Sequence, residues 1–328
     1  MKYTAVAAPV LMLLISGCGS DNVAGPSYGN INYRKEMRDL VTELGTYARG
    51  INSSFIVIPQ NGQELITDTG EGDGSPCEDY LSALDATGRE SMFYGYDSDD
   101  EATPAEDREH LLELCLLCEQ YGVEVLSTDY CFTHNKMNDS YSINEQHGFI
   151  SFAADERELN SIPNYPSSPY NENSNNITDI SQAKNFLYLI NSENYSTKQD
   201  FIDDISSTNY DVIIMDLFHN EDSFTLGEIQ QLKTKLNGSS RLVICYMSIG
   251  EAEDYRYYWQ SGWSVGSPDW LESENPDWAG NYKVRYWDSD WKFIIFGNDQ
   301  SYLKKIIDAG YDGVYLDIVD GFEYFEEQ

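Results

Sequence analysis

The acids able to do chemistry in this chain fall at the ends of apolar runs. Gly313-Val-Tyr-Leu-Asp-Ile-Val-Asp320 brings β-branched and aromatic residues suited to a sheet interior and then stops at Asp317, with Asp320 three residues on. The placement recurs at Asp216 after Val212-Ile-Ile-Met, at Asp129 after Val123-Glu-Val-Leu-Ser-Thr, at Glu90 beside Ser91-Met-Phe-Tyr94, and at Glu251 and Glu253 after Leu242-Val-Ile-Cys-Tyr-Met247. Carboxyls held at the C-terminal ends of different parallel strands share one crevice, where one can give a proton and another accept it. A loop-capping role is the plain alternative for Asp317. For Glu251 and Glu253, spaced two apart so that an extended segment points both to one side, the alternatives are ligands for sugar hydroxyls or amines and a salt-bridge cluster with Arg256.

The elements that must position these acids alternate. Strand cores are expected at Phe55, Met92, Val123, Phe149, Phe186, Val212, Leu242 and Val314. Helical spacing runs over Arg34 to Gly50, Glu106 to Tyr121, Lys198 to Ser206, Leu226 to Leu236 and Ser301 to Ala309. Eight strands alternating with helices predict an α/β fold, a (β/α)8 TIM barrel, which ~250 residues suffice to build. The chain has 328 residues. The last strand is read with no helix after it, whereas the helix Arg34 to Gly50 has no strand before it. Residues 160–182, rich in Asn, Ser and Pro, read as a linker within a single barrel over 30–328.

Ala5 to Ile15 is too short an apolar run to span a bilayer and reads as the core of a signal peptide over residues 1–17. Ile15-Ser16-Gly17-Cys18 resembles the lipobox of bacterial lipoproteins, so Cys18 is the expected lipidation site and 18–29 a tether. Gly19 in place of Asp points to the outer membrane or cell surface, with the lipid as the membrane contact. A formal charge of −36 argues against a nucleic-acid partner and fits a solvated acidic surface or a cationic ligand. Cys77, Cys115, Cys118, Cys131 and Cys245 cannot all pair. Cys115-Leu-Leu-Cys118 lacks a second CxxC or a nearby His, so no metal and no cofactor is expected, and the chain is read as a monomer.

The stretches LVICYMSIGEAEDYRYYW (242–259), NPDWAGNYKVRYWDSDW (275–291) and AGYDGVYLDIVDGFEY (309–324) closely resemble family 114 glycoside hydrolases, in particular their exported bacterial and archaeal branch. The family's founding activity is endo-α-1,4-polygalactosaminidase. In that branch the GVYLDIVD-like stretch lies mid-chain and is followed by the strand ending in PQN and the GRE segment. Here IPQNGQEL and DATGRESMFY precede it, so the chain resembles a circular permutant with the old ends joined through 160–182. The resemblance implies an endo-acting glycosidase on a galactosamine-containing or related polysaccharide, with Asp317 and Glu90 as the catalytic acid and base. One carboxyl would be protonated toward the leaving oxygen and the other ionised. Asp216, Tyr246, Glu251, Glu253, Asp320, Asn61 and Asp129 are the expected substrate contacts. Tyr255, Tyr257, Trp259, Trp270, Trp278, Tyr282 and Trp287 supply rings that could stack on sugar faces or simply pack. Founding members carry a Cys-flanked version of the Glu90 segment that this chain lacks, and a barrel that binds polysaccharide at the cell surface without cutting it is the alternative reading.

Overall fold

The computed structural model describes residues 31–328. Cys18, the signal peptide over 1–17 and the tether over 18–29 lie outside the described residues. In chain order the elements are α1 (Tyr33–Ile51), β1 (Ile56–Pro59), α2 (Glu78–Leu81), β2 (Ala86–Glu90), α3 (Ala105–Gln120), β3 (Glu124–Tyr130), α4 (His134–His147), β4 (Ile150–Ala154), β5 (Phe186–Tyr188), α5 (Lys198–Ser206) and β6 (Val212–Met215). There follow a hairpin of β7 (Phe218–His219) and β8 (Asp222–Ser223), α6 (Leu226–Leu232), β9 (Leu242–Ser248), β10 (Glu251–Glu253), β11 (Leu271–Glu274), β12 (Asn281–Val284), α7 (Ser289–Ile295), α8 (Tyr302–Ala309), β13 (Gly313–Asp317) and α9 (Phe322–Glu326).

Eight of these strands run parallel, in two ladders ordered β1-β13-β9-β6-β5 and β2-β3-β4. Gln60 bridges in parallel to Gly88 at the seam of β1 with β2, and β4 lies beside β5 at the other. The architecture is mixed α/β with a mostly parallel central sheet of TIM-barrel-like kind. β1 pairs with β13, setting Ile58 beside Tyr315. α1 covers that pair from outside: Met37, Leu40, Val41, Leu44 and Ala48 are fully buried, and Gly45 lets the helix close on Val57. The period of those apolar residues gives α1 its single buried face. They belong to one apolar core that reaches from Met37 to Phe325.

Four expectations change. The second strand is Ala86–Glu90, not the Met92 run, because Ser91 takes a left-handed φ of 55° and turns the chain away; Glu90 therefore ends a strand instead of opening one. A helix, α4, occupies 134–147, where the polar run HNKMNDSYSINEQH shows no apolar stripe. It buries Ser140 and Asn144 because both bond to a buried carboxylate. The last strand is followed by the short α9. The ring-rich stretch after β9, where no strand is expected from the sequence, folds into an antiparallel sheet ordered β10-β12-β11. Residues 160–182 are irregular apart from a 3-10 turn at Ile180–Gln182, yet Ile177 and Ile180 are buried and Asn173 bonds to Asp211 at 2.8 Å.

Candidate active site

Asp317 is the last residue of β13. Its Oδ2 accepts the Tyr246 hydroxyl at 2.5 Å and its Oδ1 the Ile318 amide at 2.8 Å, while its carbonyl accepts the Ile249 amide at 3.1 Å. Ile318 sits at φ 58°, ψ 39°. A β-branched residue there costs about 1–3 kcal/mol, and such strain concentrates where a side chain must be aimed. Gly250 makes the turn possible, because a Cβ at that position would strike the Ile318 carbonyl.

Glu90 ends β2 and is fixed at both oxygens. Asn61 Nδ2 donates to Oε2 at 3.2 Å, Asn61 Oδ1 accepts the Glu90 amide at 3.3 Å, and the Tyr130 hydroxyl donates to Oε1. Asn61 itself follows β1 in a left-handed turn at φ 58°, its amide on the Gly88 carbonyl at 2.8 Å. Three strand tips thus bend sharply around the same region, at Asn61, Ser91 and Ile318.

Asp317 feels the charge of Glu90. Burial, and after it the negative charge of Glu90, push Asp317 up to about 8, outweighing the hydrogen bond from Tyr246 that lowers it. Asp320, one turn beyond, is raised to about 6 by burial, with Lys283 and Arg89 pulling it down. Tyr188 and Tyr315 lie beneath, both buried, and the two carboxyls drive their phenols upward in addition to burial. Tyr188 donates to Gln60 Oε1 at 2.8 Å. A pair of interacting carboxyls that holds one proton near neutrality can donate and accept in the same event.

The other expected residues divide. Tyr246 is in the site as a donor to Asp317, and Asn61 as a double partner of Glu90. Asp216 and Glu253 meet on Arg256, which reaches Asp216 at 2.6 and 2.8 Å and Glu253 at 2.6 and 3.2 Å, so the salt-bridge alternative describes Glu253. Glu251 is fully buried against Lys283 at 2.7 Å and Asn275 at 2.8 Å. Asp129 points away from the carboxyl pair: it accepts the Phe93 and Tyr94 amides at 2.8 and 3.1 Å and the side chains of Ser140 and Asn144, tying the segment after Glu90 to α4. Of the rings, Tyr255, Tyr257 and Trp278 are exposed, Trp259 lies 5.1 Å from Tyr282, Trp270 is buried, and Trp287 packs on Tyr33 and Phe325. The five described cysteines are free.

Tyr130, Tyr188 and Tyr315 were not foreseen. The available signal was register: Thr128 is level with Glu90, which puts Tyr130 two residues higher on the same face.

Residues 167–328 match the model of glycoside-hydrolase family GH114, a stretch that contains Asp317 but not Glu90. An uncharacterised protein of Methanocaldococcus jannaschii is 43% identical over 156 residues, 47% of this chain and 43% of its own. Uncharacterised proteins of Thermotoga maritima and Deinococcus radiodurans are 40% and 38% identical over 126 and 119 residues, covering 37% and 36% of their lengths. The chain thus spans less than half the length of the relatives it matches.

Proposed function

We propose that the protein is an endo-acting glycoside hydrolase on a galactosamine-containing or related polysaccharide, with Asp317 and Glu90 as its catalytic pair. The observation that carries this reading is the pair itself: two carboxyls on the tips of β13 and β2, each clamped by a tyrosine hydroxyl, with Asp317 raised to about 8 beside the charge of Glu90. Cleavage of a glycosidic bond needs one carboxyl protonated and its partner ionised, and a coupled pair with one proton meets that need at neutral pH. The family match over the half that holds Asp317 supports the same class. Hydrolysis is tested by reducing-end release from a panel of purified polymers that includes α-1,4-linked galactosamine and its N-acetylated form. Release from a galactosamine polymer supports the reading, and binding without release from every polymer replaces it with a surface-binding barrel.

In this reading the eight parallel strands close into one barrel and the chain is a circular permutant of the family order. Supporting it, β1 pairs directly with β13, α1 covers their outer faces, and Arg34 on α1 bonds Glu326 on α9 at 3.0 and 3.1 Å. Linking 328 to 31 and reopening within 160–182 then yields a folded chain; a chain that fails to fold contradicts it. Export as a lipoprotein through Cys18 rests on the lipobox, and its test is incorporation of labelled palmitate, lost in Cys18→Ser.

A further inference from the structure

We propose that Arg157 is a positioning residue for the carboxyl pair: stacked over Tyr130, its guanidinium polarises the hydroxyl that donates to Glu90 and so keeps Glu90 the ionised member and Asp317 the protonated one. The guanidinium carbon lies 3.9 Å from the centre of the Tyr130 ring, well inside cation–π range. It is held there by Asp99, at 2.7 and 2.8 Å, and by the Gly95 carbonyl at 2.5 Å. Gly95 fits this place because its φ is +101° and a Cβ would come within 2.7 Å of the Tyr130 Cβ; glycine alone lets the backbone pass this close to Tyr130. Tyr130 is 2% exposed, and its hydroxyl donates to Glu90 Oε1.

The two tyrosine clamps differ in their surroundings. Positive charge sits on the face of Tyr130, which makes its hydroxyl a stronger donor to an ionised carboxylate. Tyr246, the donor to Asp317, faces the carboxyl of Glu253, itself paired with Arg256, and the phenol of Tyr255. The remaining groups around Glu90 are Asn61 from the β1 end, Arg89 on its own strand with Nε on the Glu90 carbonyl at 2.9 Å, Tyr188 from β5, Tyr315 and Asp317 from β13, and Asp320 beyond it. Arg157 directs its hydrogen bonds to Asp99 and Gly95 and reaches Glu90 through the Tyr130 ring.

The inference rests on Asp317 and Glu90 being the acting pair, and its test does not need hydrolysis. In protein carrying 13C-labelled Asp and Glu carboxyls, with resonances assigned through Asp317→Asn and Glu90→Gln, NMR reads which member holds the proton at each pH. Arg157→Met and Tyr130→Phe are expected to shift the Glu90 carboxyl resonance away from its wild-type position and to move proton occupancy from Asp317 toward Glu90. Arg157→Lys, which keeps the charge, is expected to recover most of the wild-type pattern. Wild-type resonances in both Arg157→Met and Tyr130→Phe overturn the proposal, as does Arg157→Lys behaving like Arg157→Met. If the titration moves as stated while Asp317→Asn and Glu90→Gln still hydrolyse, the functional reading falls and the electrostatic one stands.

Discussion

Tyr315 occupies the space that a side chain on Gly88 would need. A Cβ on Gly88 would land on the Tyr315 hydroxyl, so the glycine of β2 and the tyrosine of β13 are two halves of one packing decision. Gly88 lies two residues before Glu90 and Tyr315 two before Asp317, which places both catalytic candidates directly above this contact on their strands.

Gly88→Ala is therefore expected to destabilise the fold by about 1–3 kcal/mol, the usual penalty for overpacking, and to disturb both carboxyls at once. Urea unfolding checks the first part. A midpoint within error of wild type would mean that Tyr315 moves aside freely, and Tyr315→Phe in the Gly88→Ala background, by removing the struck hydroxyl, should recover part of the loss.

Asp317 makes stability depend on pH with an unusual sign. In the unfolded chain it titrates near the ordinary value of about 4, whereas in the fold burial and Glu90 raise it to about 8. Between those values the folded protein binds the extra proton, so stability falls as pH rises through the window and levels off above it. Asp320, raised to about 6, acts in the same direction. Comparing wild type with Asp317→Asn isolates the effect. The variant should gain on wild type from pH 4 to pH 8 by on the order of 2 kcal/mol, discounted because Asp317 is only half-buried. A stability difference that stays flat across this range would contradict the assigned protonation.

Arg256 joins β6 to the hairpin region after β9 through Asp216 and Glu253, and all three side chains are largely buried. Arg256→Met would leave two carboxylates buried without their cation, a loss of about 3–5 kcal/mol. Chemical denaturation of the variant measures it. A loss below about 1 kcal/mol would show the acids reaching water, freeing them for the substrate contacts the sequence first assigned to them.

Asp317 was legible in the sequence because GVYLD ends an unmistakable buried strand in an acid. Glu90 was visible as an acid beside the Met92 run, but its pairing with Asp317 came only through resemblance and its strand was misplaced: ATGRE carries almost no β-forming residue, and its parallel ladder to β3 makes the strand instead. α4 went unseen for a related reason, since its inward face uses Ser140 and Asn144 to satisfy Asp129 and so lacks apolar spacing. That bonding also explains why Asp129, although at a strand end, faces a helix: alternation along β3 sends it outward and Tyr130 inward. A salt bridge of Glu253 was visible as an alternative in the GEAEDYR spacing, whereas the pairing of Asp216 with Arg256 was not, and no sequence pattern weighs an ion pair against a ligand.

The most direct measurement is reducing-end release from α-1,4-linked galactosamine polymer by wild type, Asp317→Asn and Glu90→Gln, with each variant shown by circular dichroism to be folded. Two carboxyls acting as one proton-sharing unit predict that either change alone lowers turnover by at least roughly a hundredfold. Removing both should cost little more than removing one. Wild-type hydrolysis with both single variants retaining full activity would contradict the assignment of Asp317 and Glu90.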